Sequence, residues 1–330
     1  MAYSGTTSFA LTATQICIRA AAKCGWINTG NGEILSAQDA SDFLLQLEIE
    51  AKSVMAEFGI DLWLRVPTYL FLQQGQASYS LGNTTPDNWT TAFVSASTTA
   101  TSALGASTVT VPLGTTFSAS NPLGIKLDSG VTYWTTISSI VGNVLHIAGT
   151  LPSQSSLGNY VYSYTLGALA DRPQRVLYVH KTNTSAQDVY MENLSRQVYD
   201  QLPNKTQQGI PVQWHYEPTI PNGTLLIWPT SQGLQGFDYL SCICVGKIQD
   251  IGVTGNNPYF PIEWCNYLIW RLSWSMSYES GADFAERDRL KTISDEYLQK
   301  LLDYTSSSDE TSLQLGMRQD SGWGYGRGNR

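Results

Sequence analysis

Three residues that could perform acid–base chemistry stand side by side in the stretch NKTQQGIPVQWHYEPTIPNGTLLIWP, residues 204–229. His215, Tyr216 and Glu217 could exchange protons with a substrate if their side chains converged on one point. Apolar and polar side chains alternate along residues 212–217, however, as they do in a strand with one buried face. We therefore expect His215 and Glu217 to face solvent or a neighbouring subunit on a hairpin, in a structural role.

The sequence contains no other recognisable catalytic or metal-binding pattern. His146, His180 and His215 are far apart, and none belongs to an H-x-x-x-H or H-E-x-x-H pair. There is no G-x-S-x-G elbow, and GNGE at 30–33 lacks the lysine and the helix of a phosphate-binding loop. The sequence thus predicts no catalytic residue, no metal site and no cofactor.

A glycoside hydrolase would need two carboxylates about 5 to 10 Å apart. Glu217, Asp238 and Asp250 are the candidates, but no spacing marks two of them as a pair. A cell-wall hydrolase is therefore the disfavoured alternative.

Composition limits the classes of partner. Of the 330 residues, 42% are hydrophobic and only 14% are charged, with ten Trp and eighteen Tyr, which indicates a folded chain with extensive covered surface. The net charge of −8 disfavours tight binding to the phosphate backbone of a nucleic acid, because such binding depends on Lys and Arg. The five cysteines are scattered without a C-x-x-C pair, and we expect them to be small apolar core residues.

No segment suggests export or a membrane. The N-terminus lacks the basic start and apolar stretch of a signal peptide. The most apolar segment, residues 261–276, is too short to span a bilayer and contains Glu263 and Arg271. We expect a soluble protein that is not exported.

Helical periodicity marks both ends of the chain. Apolar residues repeat at helical spacing after Thr14, where Gly25 suits the end of the helix, and again after Ser36, a suitable N-cap. Two further helices follow Pro261 and Asp283. The residues predicted to form the packed helical core are Phe43, Leu47, Val54, Trp264, Leu268, Leu272 and Leu298.

The middle of the chain is predicted to consist mainly of β-strands. Between 84 and 165 the composition shifts to Ser, Thr, Ala and Gly, and short alternating runs are separated by turn residues. The parent strands resume afterwards, where Asn222-Gly223 predicts a tight hairpin turn and 237–248 predicts a central strand. The predicted fold is α+β: a bundle of about four main helices with a small antiparallel sheet, an inserted all-β module that is sandwich- or barrel-like, and an extended C-terminal tail. The predicted domains are the core at 1–83 and 166–306, the inserted module at 84–165 and the tail at 307–330.

The C-terminal tail has no apolar periodicity, and on its own composition we expect it to be disordered. It nevertheless contains residues that could anchor it on a partner. These are Leu313, Leu315, Met317, Arg318, Trp323, Tyr325, Arg327 and Arg330. Alternatively, the arginines and aromatic rings of the tail could form a weak binding site for single-stranded nucleic acid.

The order of these elements resembles the head-to-tail adaptors of short-tailed bacteriophages, also called packaged-DNA stabilisation or tail accessory proteins. Four segments carry the resemblance. They are the helical hairpin LTATQICIRAAAKCG with SAQDASDFLLQLEIEAKSVMAEFGIDLWLR, the strand YLFLQQGQASYSLG, the hairpin region LSRQVYDQLPNKTQQGIPVQWHYEPTIPNGTLLIWPTS, and the late helix YFPIEWCNYLIWRLSWSMSYESG. The inserted module occurs only in the longer members.

The resemblance implies a structural virion protein without enzymatic activity, located at the head–tail junction and assembled in the host cytoplasm. Its copies would form a ring, in this family of twelve, that docks on the portal protein, extends the DNA channel, retains the packaged genome and joins the tail nozzle or tube. Double-stranded DNA would pass without sequence-specific binding, and no membrane would be involved. The tail residues named above would contact the portal.

A second hypothesis places a binding function in the inserted module. Trp89, Tyr133, Trp134 and Tyr160 could hold a host surface glycan or contact tail fibres, because aromatic rings stack on sugars. Aromatic residues at alternating positions are also typical of the core of a small β-sandwich.

Overall fold

The computed structural model has a mixed α+β fold. The residues that it describes are 10–58, 62–183, 187–233 and 236–309. Within them lie five α-helices and four β-sheets. The chain divides into two compact units, here called the helical unit (1–62 and 248–330) and the β unit (63–247).

Local capping sets the helix boundaries that the sequence predicts. The helices are α1 Ala13–Lys23, α2 Ala37–Phe58, α3 Arg196–Asp200, α4 Cys265–Met276 and α5 Phe284–Asp309. Ser36 Oγ accepts the backbone N–H of Asp39 at 3.1 Å, and an Asp283 carboxylate oxygen accepts that of Glu286 at 2.8 Å. Gly25 follows Cys24, the C-cap of α1, and adopts a left-handed φ of 76°, a conformation that glycine takes without steric cost.

Helix α4 is the centre of the helical unit. It packs against α1, α2 and α5, which explains why it is apolar on more than one side. The seven residues predicted to form the helical core are all buried: Phe43, Leu47, Val54, Trp264, Leu268, Leu272 and Leu298. A polar contact accompanies this packing, in which Arg271 Nε donates to Glu50 Oε2 at 2.7 Å.

The β unit contains seventeen strands among its described residues. They are β1 Arg65–Phe71, β2 Ser78–Leu81, β3 Trp89–Thr90, β4 Val94–Ser97, β5 Thr108–Thr110, β6 Pro122–Lys126, β7 Thr132–Val141, β8 Val144–Ile147, β9 Tyr160–Ser163, β10 Arg175–Asn183, β11 Asp188–Tyr190, β12 Glu192–Asn193, β13 Gln208–Gly209, β14 Gln213–Glu217, β15 Gly223–Trp228, β16 Thr230–Ser231 and β17 Phe237–Val245.

Two sheets share one apolar core. The five-stranded sheet has the order β11-β10-β17-β1-β3, and the four-stranded sheet has the order β12-β14-β15-β2. Strand β17 is central, as its apolar sequence predicts. Leu70 and Cys242 from the first sheet meet Tyr79, Trp214 and Leu225 from the second in the same buried cluster. The sequence predicted only a small antiparallel sheet, because it does not show that the consecutive strands β1 and β2 join different sheets.

The strands between 94 and 163 form a separate six-stranded sheet with the order β4-β9-β6-β7-β8-β5. The sheet curls, and the Thr99 N–H donates to the Thr110 carbonyl at 2.9 Å, which joins its two edges. Leu123, Ile125 and Val161 are fully buried in its own core. The strands predicted within 84–165 are therefore present, and they make a barrel-like sheet.

The turn predicted at Asn222-Gly223 is wrong. The loop between β14 and β15 covers 218–222, and Gly223 is already the first residue of β15. A Cβ on Gly223 would lie 2.2 Å from Tyr216 Oη, so glycine is needed here for the close approach of the Tyr216 ring.

Candidate functional site

The predicted portal-binding residues lie outside the described part of the chain. This holds for all eight, from Leu313 to Arg330. Their assignment therefore stays a prediction. The other candidate residues lie in the described part of the chain.

His215 and Glu217 lie on β14 and are half-buried instead of facing solvent. His215 Nδ1 lies 2.7 Å from the Leu194 carbonyl oxygen, which can only accept, so Nδ1 carries a proton. Glu217 forms an ion pair with Arg196, at the start of α3. His215 Nε2 is 4.0 Å from Glu217 Oε1. These contacts connect β14 to the segment between β12 and α3, so His215 and Glu217 both have a structural role.

A surface concavity of about 510 Å³ lies next to this trio. It is lined by residues of β10, β12 and β14 and of the connections beside them, among them Arg175, Asn193, Ser195, His215 and Tyr216. The Tyr216 hydroxyl donates to the Pro173 carbonyl at 2.5 Å, and burial raises the pKa of Tyr216 to about 12. Tyr216 is thus held as a neutral donor, and it is unsuited to be a general base at neutral pH.

Asp238, one of the carboxylates weighed for hydrolysis, is buried in an ion pair. It is 4% exposed, and one oxygen accepts from Lys126 Nζ at 2.5 Å while the other accepts from the Tyr162 hydroxyl at 2.7 Å. Burial and the charge of Asp238 raise the pKa of Tyr162 far above its usual range. Lys126 and Tyr162 belong to the six-stranded sheet and Asp238 to the five-stranded sheet, so this trio joins the inserted module to its parent.

Asp128 joins the turn at residues 128–130 to the loop at residues 154–159. Its carboxylate accepts hydrogen bonds from the Ser156 hydroxyl and backbone N–H, Asn159 and Gln154. These bonds, that of the Ser156 hydroxyl first, lower the pKa of Asp128 below its usual value. All four acceptor directions of the carboxylate are used in this loop, which gives Asp128 a structural role.

The aromatic residues proposed as a glycan platform are used in packing. Trp89 is fully buried between the five- and four-stranded sheets. Trp134 and Tyr160 pack on a cluster that includes Phe71 of β1, and Tyr133 packs on the core of the six-stranded sheet. Phe71 and Trp134 have ring centroids 5.1 Å apart in an edge-to-face arrangement. No observation on these four residues favours sugar binding.

The five cysteines are free and buried, as the sequence predicted. Burial raises the pKa of Cys17 and of Cys244 to about 12, so both are protonated thiols at neutral pH. Among the described residues, no cluster of three His, Cys, Asp or Glu is placed to hold a metal ion. No helix in this part of the chain is long and apolar enough to cross a membrane.

Sequence reasoning missed a surface on the helical unit, which we call the cation–aromatic stripe. Trp270, Trp274 and Tyr278 follow each other at a spacing of four residues along and just beyond α4, and the centroids of Trp274 and Tyr278 are 6.1 Å apart. Basic groups lie over these rings. They are Lys23 at 3.6 Å from the Trp270 centroid, Arg271 at 4.8 Å and Lys291 at 5.9 Å from that of Trp274, and Arg287 at 4.9 Å from that of Tyr278. The spacing of the three aromatic residues was the available signal, but three of the four cations, Lys23, Arg287 and Lys291, come from α1 and α5.

The comparison with protein families finds no family model that matches the chain, and the comparison with curated proteins finds no significant sequence match.

Proposed function

We propose that the protein is a structural virion component, a head-to-tail adaptor whose ring docks on a phage portal, extends the DNA channel, retains the packaged genome and connects to the tail nozzle or tube. One observation carries the proposal. The segments that resemble the adaptor family's helices are about 200 residues apart in sequence, yet α1, α2 and α4 pack together in one unit. An adaptor core that is built from those segments requires these helices to pack together.

In this proposal α1, α2, α4 and α5 are the helical bundle of the adaptor. Helix α4 lies at its centre, and the six-stranded sheet within the β unit corresponds to the inserted module that only the longer adaptors contain. Helix α5 extends to Asp309, three residues into the tail predicted at 307–330, and the residues beyond it would reach the portal.

The distribution of charge supports a channel role. Residues 63–247 carry eight acidic and eight basic side chains, whereas the rest of the chain carries nineteen acidic and eleven basic ones. The whole net charge of −8 therefore belongs to the helical unit. A ring of such units would place on the order of a hundred negative charges around the channel, which disfavours the binding of DNA and lets it slide.

The experiment that tests the proposal is binding to the portal ring from the same genome, followed by co-sedimentation. We expect the full chain to pellet with the portal and a chain without residues 313–330 to stay in solution. Thermal melting should be almost unchanged by the deletion, since this segment lacks the apolar periodicity of a packed element.

A point variant tests the same assignment without a deletion. Replacing Trp323 and Tyr325 with alanine should weaken portal binding strongly, because buried aromatic anchors carry much of the energy of an interface. Asn329→Ala is the matched control and should bind like the unchanged chain. Full portal binding after the deletion would reject the role of the tail.

A further inference from the structure

The first surface that bears on self-association is the cation–aromatic stripe. No carboxylate of the described residues is within ion-pair distance of Arg19, Lys23, Arg287 or Lys291. Two other cations of this region are paired, Arg271 with Glu50 and Arg289 with Glu286. Arg19 lies one helical turn before Lys23 on α1. Burial, followed by the charges of Arg289 and Arg19, lowers the pKa of Lys23. The stripe is thus a positive surface on the acidic unit.

The second surface is the outer face of α2, which points away from the buried side of the helix that contains Phe43 and Leu47. Leu45 and Ile49 lie one turn apart and are 60% and 51% exposed. Asp39 and Asp42 precede them, and no described Lys or Arg pairs with either carboxylate. Glu50 of the same helix does not belong to this face, because it is buried and pairs with Arg271. This face is therefore apolar and negative.

We propose that the α2 outer face of one copy docks on the cation–aromatic stripe of the next copy, head to tail. The two surfaces share no residue, which is the requirement for a heterologous contact that can close into a ring. Asp39 and Asp42 would meet the unpaired cations, and Leu45 and Ile49 would cover the exposed edges of Trp270 and Tyr278. The inference rests on the self-association in the proposed function and names the surfaces that carry it.

A second copy fits the stripe better than a nucleic acid does. A polyphosphate would bind through the cations alone, and the field of the surrounding unit, which carries all of the net charge of −8, opposes its approach. The α2 outer face supplies both negative charge and apolar surface, so it complements both components of the stripe. Aromatic rings and arginine are also enriched where protein surfaces meet.

Charge reversal in the full chain tests the proposal by sedimentation velocity at low ionic strength. The unchanged chain should associate as its concentration rises. Arg19→Glu with Lys291→Glu should abolish association, and so should Asp39→Lys with Asp42→Lys. An equimolar mixture of the two double variants should associate again, because each copy then offers the charge that its neighbour lacks. Leu45→Ser with Ile49→Ser should weaken association by at least tenfold, and far-UV circular dichroism should remain unchanged.

The matched control is Lys205→Glu with Lys247→Glu, which changes the net charge equally but lies on the β unit. It should associate like the unchanged chain. The proposal is overturned if the unchanged chain is monomeric at all concentrations, if either reversed variant still associates, or if their mixture does not. It is also overturned if the stripe instead binds duplex DNA and this binding is lost in Arg19→Glu with Lys291→Glu. Association without portal binding would leave this inference standing and reject the adaptor function.

Discussion

Removal of one partner from the buried ion pair between Lys126 and Asp238 should be among the most destabilising single changes in the β unit. The two side chains are 14% and 4% exposed, and the nitrogen and oxygen are 2.5 Å apart. Lys126→Met removes the cation but keeps the length of the side chain, so the Asp238 carboxylate is left in an apolar environment with only the Tyr162 hydroxyl as partner. Loss of one member of a buried pair typically costs about 3–5 kcal/mol in free energy of unfolding.

Urea denaturation at pH 7 measures this loss of stability. The chain offers a matched control, because Lys52 and Asp250 are also 2.5 Å apart but are 51% and 72% exposed. Lys52→Met should change the stability little, since solvent screens an exposed pair. Lys126→Met with Asp238→Asn should recover most of the loss. If Lys126→Met is no more harmful than Lys52→Met, the reasoning from burial is refuted.

Three further predictions concern the β unit and the cysteines. Gly223→Ala should destabilise the protein by about 2–4 kcal/mol, because the new methyl group overlaps the Tyr216 ring and breaks its hydrogen bond; Gly167→Ala, which has open space around it, should be almost neutral in the same urea titration. The five cysteines should react with Ellman's reagent only slowly at pH 8 and completely in denaturant, since burial keeps the thiols protonated; fast labelling of the native protein would contradict their placement. Ser156→Ala should raise the pKa of Asp128 towards its ordinary value in a carboxyl NMR titration; in the unchanged protein the stabilisation from this carboxylate is present at neutral pH and is lost as the pH falls through its lowered pKa.

Local features of the fold could be predicted from the sequence. Helix α1 ends before Gly25 and α2 begins after Ser36 because capping depends on neighbouring residues only. The strands of the six-stranded sheet follow from alternation and from turn residues in the same way. These signals act over a few residues, so one sequence is enough to identify them.

Pairings between distant residues could not be predicted. Strand β2 lies beside β15, about 140 residues later, and no local pattern selects that partner. Asp238 was a candidate catalytic carboxylate in the sequence, because its ion pair with Lys126, which is 112 residues away, cannot be recognised from local residues. Gly223 looked like a turn residue because the need for glycine beside Tyr216 arises only after the hairpin has formed. For the candidate site, the cation–aromatic stripe was missed for the same reason, since its rings and its cations come from three helices.

The most direct test of the adaptor function is negative-stain imaging of this protein mixed with the portal ring from the same genome, beside images of each component alone. The proposal predicts a second ring stacked coaxially on the portal in the mixture, whose symmetry gives the copy number. Separate portal rings and unassociated particles, in a mixture where both proteins are folded, would contradict the proposed function.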